Sequence, residues 1–146
     1  MEVSNLTEKM FELPYLFAVP DILYFSELEE EHDNLLAYGL EMKILSSDSI
    51  KYCDKIVQSY PRTSLNDLFA LGLAKQESCP LVTGDGALRE ACKEESVVIL
   101  GTVWLIDELI NHSIITIDEA KEAYCLMKEN KRRLPWKIID EKLSKV

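Results

Sequence analysis

The sequence predicts an α/β fold in which a parallel sheet lies between layers of helices, three layers in all. Three observations carry this. Short apolar or β-branched runs, such as residues 97–100, alternate along the chain with longer segments of helical period. Parallel strands need crossover connections and a helix is the usual crossover, so alternation implies a parallel sheet covered on both faces. The length of 146 residues, with 47% hydrophobic and 29% charged residues, suits a single domain over 1–146 that buries its core without disulfide or metal staples.

Taken in order, Ser4 or Asn5 is placed to cap a first helix bearing Leu6, Met10, Phe11 and Leu13, which Pro14 ends. Residues 15–19 read as a buried strand. Pro20 suits the first turn of the next helix, with Ile22, Leu23, Phe25 and Leu28 toward a core and Glu29, Glu30 and Glu31 toward water. Glu27 lies within that helix. A second strand is expected at 42–45, then a helix over about 47–59 carrying Ile50, Cys53, Ile56 and Val57, broken by Pro61. A strongly apolar helix follows at 64–75, and a strand at 80–83 closes on Gly84-Asp85-Gly86. Residues 87–93 are helical, 97–100 form the clearest strand, and Gly101-Thr102 turns into a helix with Trp104, Leu105, Leu109 and Ile110. Two helices finish the chain, the first capped by Thr116 or Asp118 and the second beginning at Leu134-Pro135.

Charge narrows the function. Sixteen Lys and Arg against 26 Asp and Glu give a net charge of -10, the wrong sign for bulk neutralisation of phosphates. Any contact with nucleic acid must be local. It would come through a divalent cation on a carboxylate cluster, or through the basic stretch Lys128, Lys131, Arg132, Arg133 and Lys137, which also reads as a solvated helix end. Cys53, Cys79, Cys92 and Cys125 are widely separated, with His32 and His112 far from ligand spacing, so a zinc site is not expected. The cysteines read as reduced and mostly buried. The N-terminus lacks a secretory pattern and no apolar run reaches membrane-spanning length, which points to a cytoplasmic chain.

Two acids stand out. Ser64-x-x-Asp67 has the form of a capping pair, yet the helix it opens is apolar nearly all round, so a carboxylate there needs a partner, a cation or water at a cleft. Asp85, between two glycines just past a strand, is both a natural helix cap and a residue at the carboxyl end of the sheet, where ligands of such folds bind. The glycines allow close approach, and Thr83 adds a hydroxyl on the same turn. Glu27, in an acid-rich helix, reads from its surroundings as a solvated side chain.

The runs Ser64-Leu-Asn-Asp67-Leu-Phe-Ala-Leu-Gly-Leu-Ala74, Pro80-Leu-Val-Thr-Gly-Asp85-Gly-Ala-Leu-Arg89 and Leu100-Gly-Thr-Val-Trp-Leu105 together resemble the second half of a PIN domain. The later Arg133-Leu-Pro135 is similar to a bacterial or archaeal subgroup, many of whose members are toxins held by a small antitoxin. The resemblance implies a nuclease that cleaves single-stranded RNA with Mg²⁺ or Mn²⁺ held by clustered carboxylates. It makes Asp67, Asp85 and Glu27 the catalytic and metal-binding residues, with Thr83 and Arg89 as substrate contacts. Such hard cations prefer oxygen ligands, and a bound cation also relieves the repulsion among the acids. A haloacid dehalogenase-like reading of Thr83-Gly-Asp85-Gly86 fails, because the Asp-x-Asp nucleophile expected near the start is missing.

A PIN domain opens with a central strand ending in an Asp that is usually the foremost metal ligand. Here no apolar run precedes Ser4 and no Asp precedes Asp21. The resemblance therefore implies that this N-terminal central strand is missing, that Met1 is an internal methionine, and that metal binding and cleavage by this form are weak or lost. It also implies that neighbouring strands, left with open edges, pair with another copy or draw together. The alternative expectation is an inactive PIN-like binding or assembly module.

Overall fold

A computed structural model describes residues 6–30 and 34–129. The elements are α1 (Thr7–Met10), β1 (Ala18–Pro20), α2 (Asp21–Leu23, continued by a π-turn over Tyr24–Leu28), α3 (Asn34–Tyr38), β2 (Glu41–Lys43), α4 (Ser47–Ile56, tightened into a 3₁₀ turn at Val57–Ser59), α5 (Leu65–Gln76), β3 (Leu81–Val82), α6 (Gly86–Glu94), β4 (Ile99–Leu100), α7 (Thr102–Asn111) and α8 (Ile117–Glu129). The fold is mixed α/β. Described residues 16–100 form one compact unit, and 6–15 with 101–129 form another.

All four strands belong to the first unit. β1 pairs in parallel with β2, placing Val19 opposite Met42, and β3 pairs in parallel with β4, placing Val82 opposite Leu100. The expected single sheet is corrected to two separate two-stranded sheets among the described residues. Each pairing is short, three residue pairs between β1 and β2 and two between β3 and β4. The expected strands shrink accordingly, 80–83 to Leu81–Val82 and 97–100 to Ile99–Leu100, while 15–19 and 42–45 shift to Ala18–Pro20 and Glu41–Lys43. Pro20 closes β1 and stands at the N-cap of α2, one step outside its expected helical place.

The core of this unit is built on α5. Its Leu68 and Leu71 are fully buried and cluster with Ile56, Ala91 and Cys92, while Phe69 and Leu73 cluster with Leu45 and Cys53. α5 packs against α4, β1, β3 and α6, so one helix reaches a strand of each sheet. Gly72 permits the close approach of α4, since a Cβ there would lie 2.6 Å from Cys53 Sγ. That thiol donates to Leu68 O at 3.2 Å. Burial pushes the Cys53 and Cys92 thiols up to about 11, which makes them inert packing groups, whereas Cys79 and Cys125 are exposed, against expectation.

The face of the helix after β1 also differs from its expected pattern. Leu23 and Tyr24 are buried, and Ile22 and Phe25 are exposed. The Glu29 N–H donates to Tyr24 O at 2.9 Å, a five-residue step that rotates the helix away from a regular 3.6-residue stripe.

The second unit holds α1, α7 and α8. The expected caps Ser4 and Asn5 lie outside the described residues, and the described helix begins after Leu6. Lys9 Nζ pairs with Glu119 Oε2 at 2.7 Å, and Tyr15 stacks at a tilt on Trp104, 5.5 Å between centroids. Thr116 rather than Asp118 caps α8: its hydroxyl accepts from the Glu119 N–H and Glu119 Oε1 accepts from the Thr116 N–H, both at 3.1 Å. The helix expected from Leu134-Pro135 and the basic residues Lys131, Arg132, Arg133 and Lys137 lie outside the described residues.

Candidate functional site

Asp67 enters the structure through its helix cap. Ser64 takes an extended conformation, ψ 158°, and its hydroxyl accepts from the Asp67 N–H at 3.1 Å, so α5 starts with Asp67 in its first turn. The carboxyl is half-buried. Burial pushes its pKa above the usual carboxylate range, the Ser64 hydroxyl pulls it down, and the charges of Asp85 and Glu27 push it up again. Both acids bear on Asp67 through their charge, and neither through a hydrogen bond to its carboxyl.

Asp85 comes from the end of β3. The Thr83 N–H makes a ladder bond to Leu100 O at 2.9 Å, and the chain leaves the strand there. The Thr83 hydroxyl then accepts from the Asp85 N–H at 3.1 Å, which bends the turn, and Asp85 Oδ2 caps α6 by accepting from the Leu88 N–H at 2.8 Å. Asp85 is exposed, and a Cβ on the next residue, Gly86, would meet nothing within 4 Å, so the turn is open on that side. Arg89, one turn along α6, is exposed and donates its backbone N–H to Asp85 O at 3.0 Å.

Glu27 arrives from the π-turn. It is exposed, but it is tied to α5 because Asn66 Nδ2 donates to Glu27 Oε1 at 3.2 Å and to Ser26 Oγ at 2.9 Å. Asn66 and Ser26 were not singled out in the sequence. A polar amide just ahead of the wholly apolar run 68–74 of Leu, Phe, Ala and Gly was the available signal.

The donor set is all oxygen and mutually repelling, which suits a hard cation. Among the described residues, however, no three His, Cys, Asp or Glu side chains stand close enough to share one ion. Mg²⁺ is commonly held by one or two carboxylates and keeps several waters, so the carboxylates of Asp67 and Asp85 have the chemistry that such an ion needs.

The chain matches no family model, no curated protein and no solved structure. Its own residues therefore carry the functional reading. Among the described residues, no helix is long and apolar enough to cross a membrane.

Proposed function

We propose that the chain has the fold of a PIN-like ribonuclease and the machinery of one, cleaving single-stranded RNA with Mg²⁺ or Mn²⁺. The observation that carries this is that the charges of Asp85 and Glu27, which come from two other elements, both bear on the half-buried carboxyl of Asp67 and help to raise its pKa. A protein gains no stability from such repulsion, and acids gathered at a cost are a signature of a functional site. The two parallel sheets, each reaching α5, support a parallel α/β architecture of this kind.

In this reading Asp67 and Asp85 would hold the cation and Glu27 would orient its water. When bound, the cation would supply a lowered pKa for that water and charge stabilisation for the leaving oxygen of the phosphodiester. Thr83 shapes the turn that presents Asp85. Arg89, exposed one helical turn after Asp85, would supply a cation for a phosphate of the RNA, the local contact that a chain of net charge -10 requires. A small antitoxin protein is the partner that the toxin-like resemblance suggests.

The test is cleavage of a fluorophore-labelled single-stranded RNA. Expected is cleavage that depends on Mn²⁺ or Mg²⁺, stops in excess chelator and falls roughly 100-fold or more in Asp67→Asn, as loss of a charge stabilising the reacting phosphate implies. Undiminished cleavage in that variant or in chelator contradicts the reading.

One observation favours a second reading, a PIN-like binding or assembly module without catalysis: the described residues gather no three-ligand group. Such a module binds Mn²⁺ no better than a surface acid patch, and Asp85→Asn leaves that binding unchanged.

A further inference from the structure

We infer that Asn66 is a positioning residue for Glu27, clasping its carboxylate to the first turn of α5, where Asp67 is the next residue; this rests on the metal-dependent reading of the site. Glu27 is exposed, on a helix whose neighbours Glu29 and Glu30 are exposed as well. Left to itself, a glutamate there turns to water, because solvation and side-chain entropy both favour it. Instead one amide nitrogen, Asn66 Nδ2, meets Glu27 Oε1 at 3.2 Å and Ser26 Oγ at 2.9 Å.

The two ends of this clasp are set by different parts of the backbone. Asn66 is the second residue of α5, directly before Asp67, and the Ser64 cap fixes that turn. Ser26 and Glu27 lie in the π-turn, where the Glu29-to-Tyr24 bond replaces the regular helical step and alters the direction of both side chains. The Ser26 hydroxyl is itself anchored, donating to Leu23 O at 3.3 Å. An amide nitrogen donates two hydrogens, and here both are directed at consecutive residues of one turn. An aspartate or alanine at position 66 would offer Glu27 no donor.

The consequence concerns metal affinity more than folding. Groups that orient a direct ligand from behind typically change metal affinity by roughly 10–100-fold when removed, and since Glu27 acts through the ion's water the low end of that range applies. Asn66→Ala should therefore weaken Mn²⁺ binding about 10-fold, and should do so only while Glu27 is present to be oriented.

The experiment is a double-mutant cycle on the full chain, with Mn²⁺ affinity measured by calorimetry in wild type, Asn66→Ala, Glu27→Gln and the double variant. Thermal unfolding of the same four proteins in chelator is the metal-free control. Expected is the roughly 10-fold loss for Asn66→Ala in the wild-type background, little further loss in the Glu27→Gln background, and recovery of part of the affinity in Asn66→Gln, which retains the amide. Equal losses in both backgrounds, or no loss, overturn the positioning role. If wild type binds no specific Mn²⁺ while the unfolding cycle still couples Asn66 to Glu27, the metal reading has failed and the clasp is structural. Absence of coupling in both measurements shows that the clasp itself is wrong.

Discussion

At the scale of single residues, the carboxyls of Asp67 and Glu95 are shifted in opposite directions from their ordinary values, and the difference is measurable. The folded-state pKa of Asp67 is raised above its ordinary 3.8 by burial first and then by Asp85 and Glu27. The unfolded chain therefore ionises more readily. At pH above the folded value this disfavours the native state, and the cost disappears as pH falls below 3.8. Asp67→Asn should then raise the melting temperature of the metal-free protein at pH 7, with the gain vanishing toward pH 3; a lower melting temperature at pH 7 would contradict the assignment. Glu95 is the reverse case. The Tyr52 hydroxyl and then the Tyr60 hydroxyl, 2.6 Å from Oε2, hold its carboxyl below its ordinary 4.5. Its contribution is complete above 4.5 and is lost as pH falls through the depressed value. Glu95→Gln should accordingly lower the midpoint of urea unfolding at pH 7 and make no difference in strong acid. At this scale the sequence was informative for Asp67 and Asp85, whose caps and neighbours are local. It was not informative for Asn66 or Glu95, whose partners lie 39 and 43 positions away.

Elements show a second regularity. α5, α6 and α7 end alike, with Ser78, Ser96 and Ser113 in the left-handed region at φ 52°, 62° and 59°. In each case the next residue's N–H reaches back across the final turn: Cys79 to Ala74 O, Val97 to Cys92 O and Ile114 to Leu109 O, at 3.0, 2.8 and 2.9 Å. This is the Schellman closure, at which glycine is the favoured residue because a Cβ strains the backbone. The sequence places serine there, so the helix ends carry no glycine signal, although the helices themselves were legible from period and caps. Ser96→Gly removes that strain and should stabilise the fold by about 0.5–1 kcal/mol in chemical denaturation, the left-handed penalty less the extra chain entropy of glycine. Destabilisation would mean that the Ser96 side chain holds something the backbone argument omits. The π-turn at Tyr24–Leu28 was hidden for a related reason: a five-residue step leaves no periodic trace in a single helix.

For the molecule as a whole, the alternation of strands and helices made the α/β class legible, and the parallel pairing follows from it. The division into two sheets was not legible, because pairing partners are set by tertiary contact and not by the strand sequences. Val82 and Met42 lie in strands and are still 37% and 39% exposed, where a fully covered parallel sheet would bury them. The proposed function rests on Asp67 and Asp85 holding a divalent cation, with Glu27 assisting them. It is tested most directly by calorimetric titration of Mn²⁺ into the wild-type chain and into Asp85→Asn, a substitution that keeps the helix cap and removes the charge. The account predicts single-site binding in the wild type that weakens at least about 10-fold in the variant. Equal binding by the two proteins would contradict it.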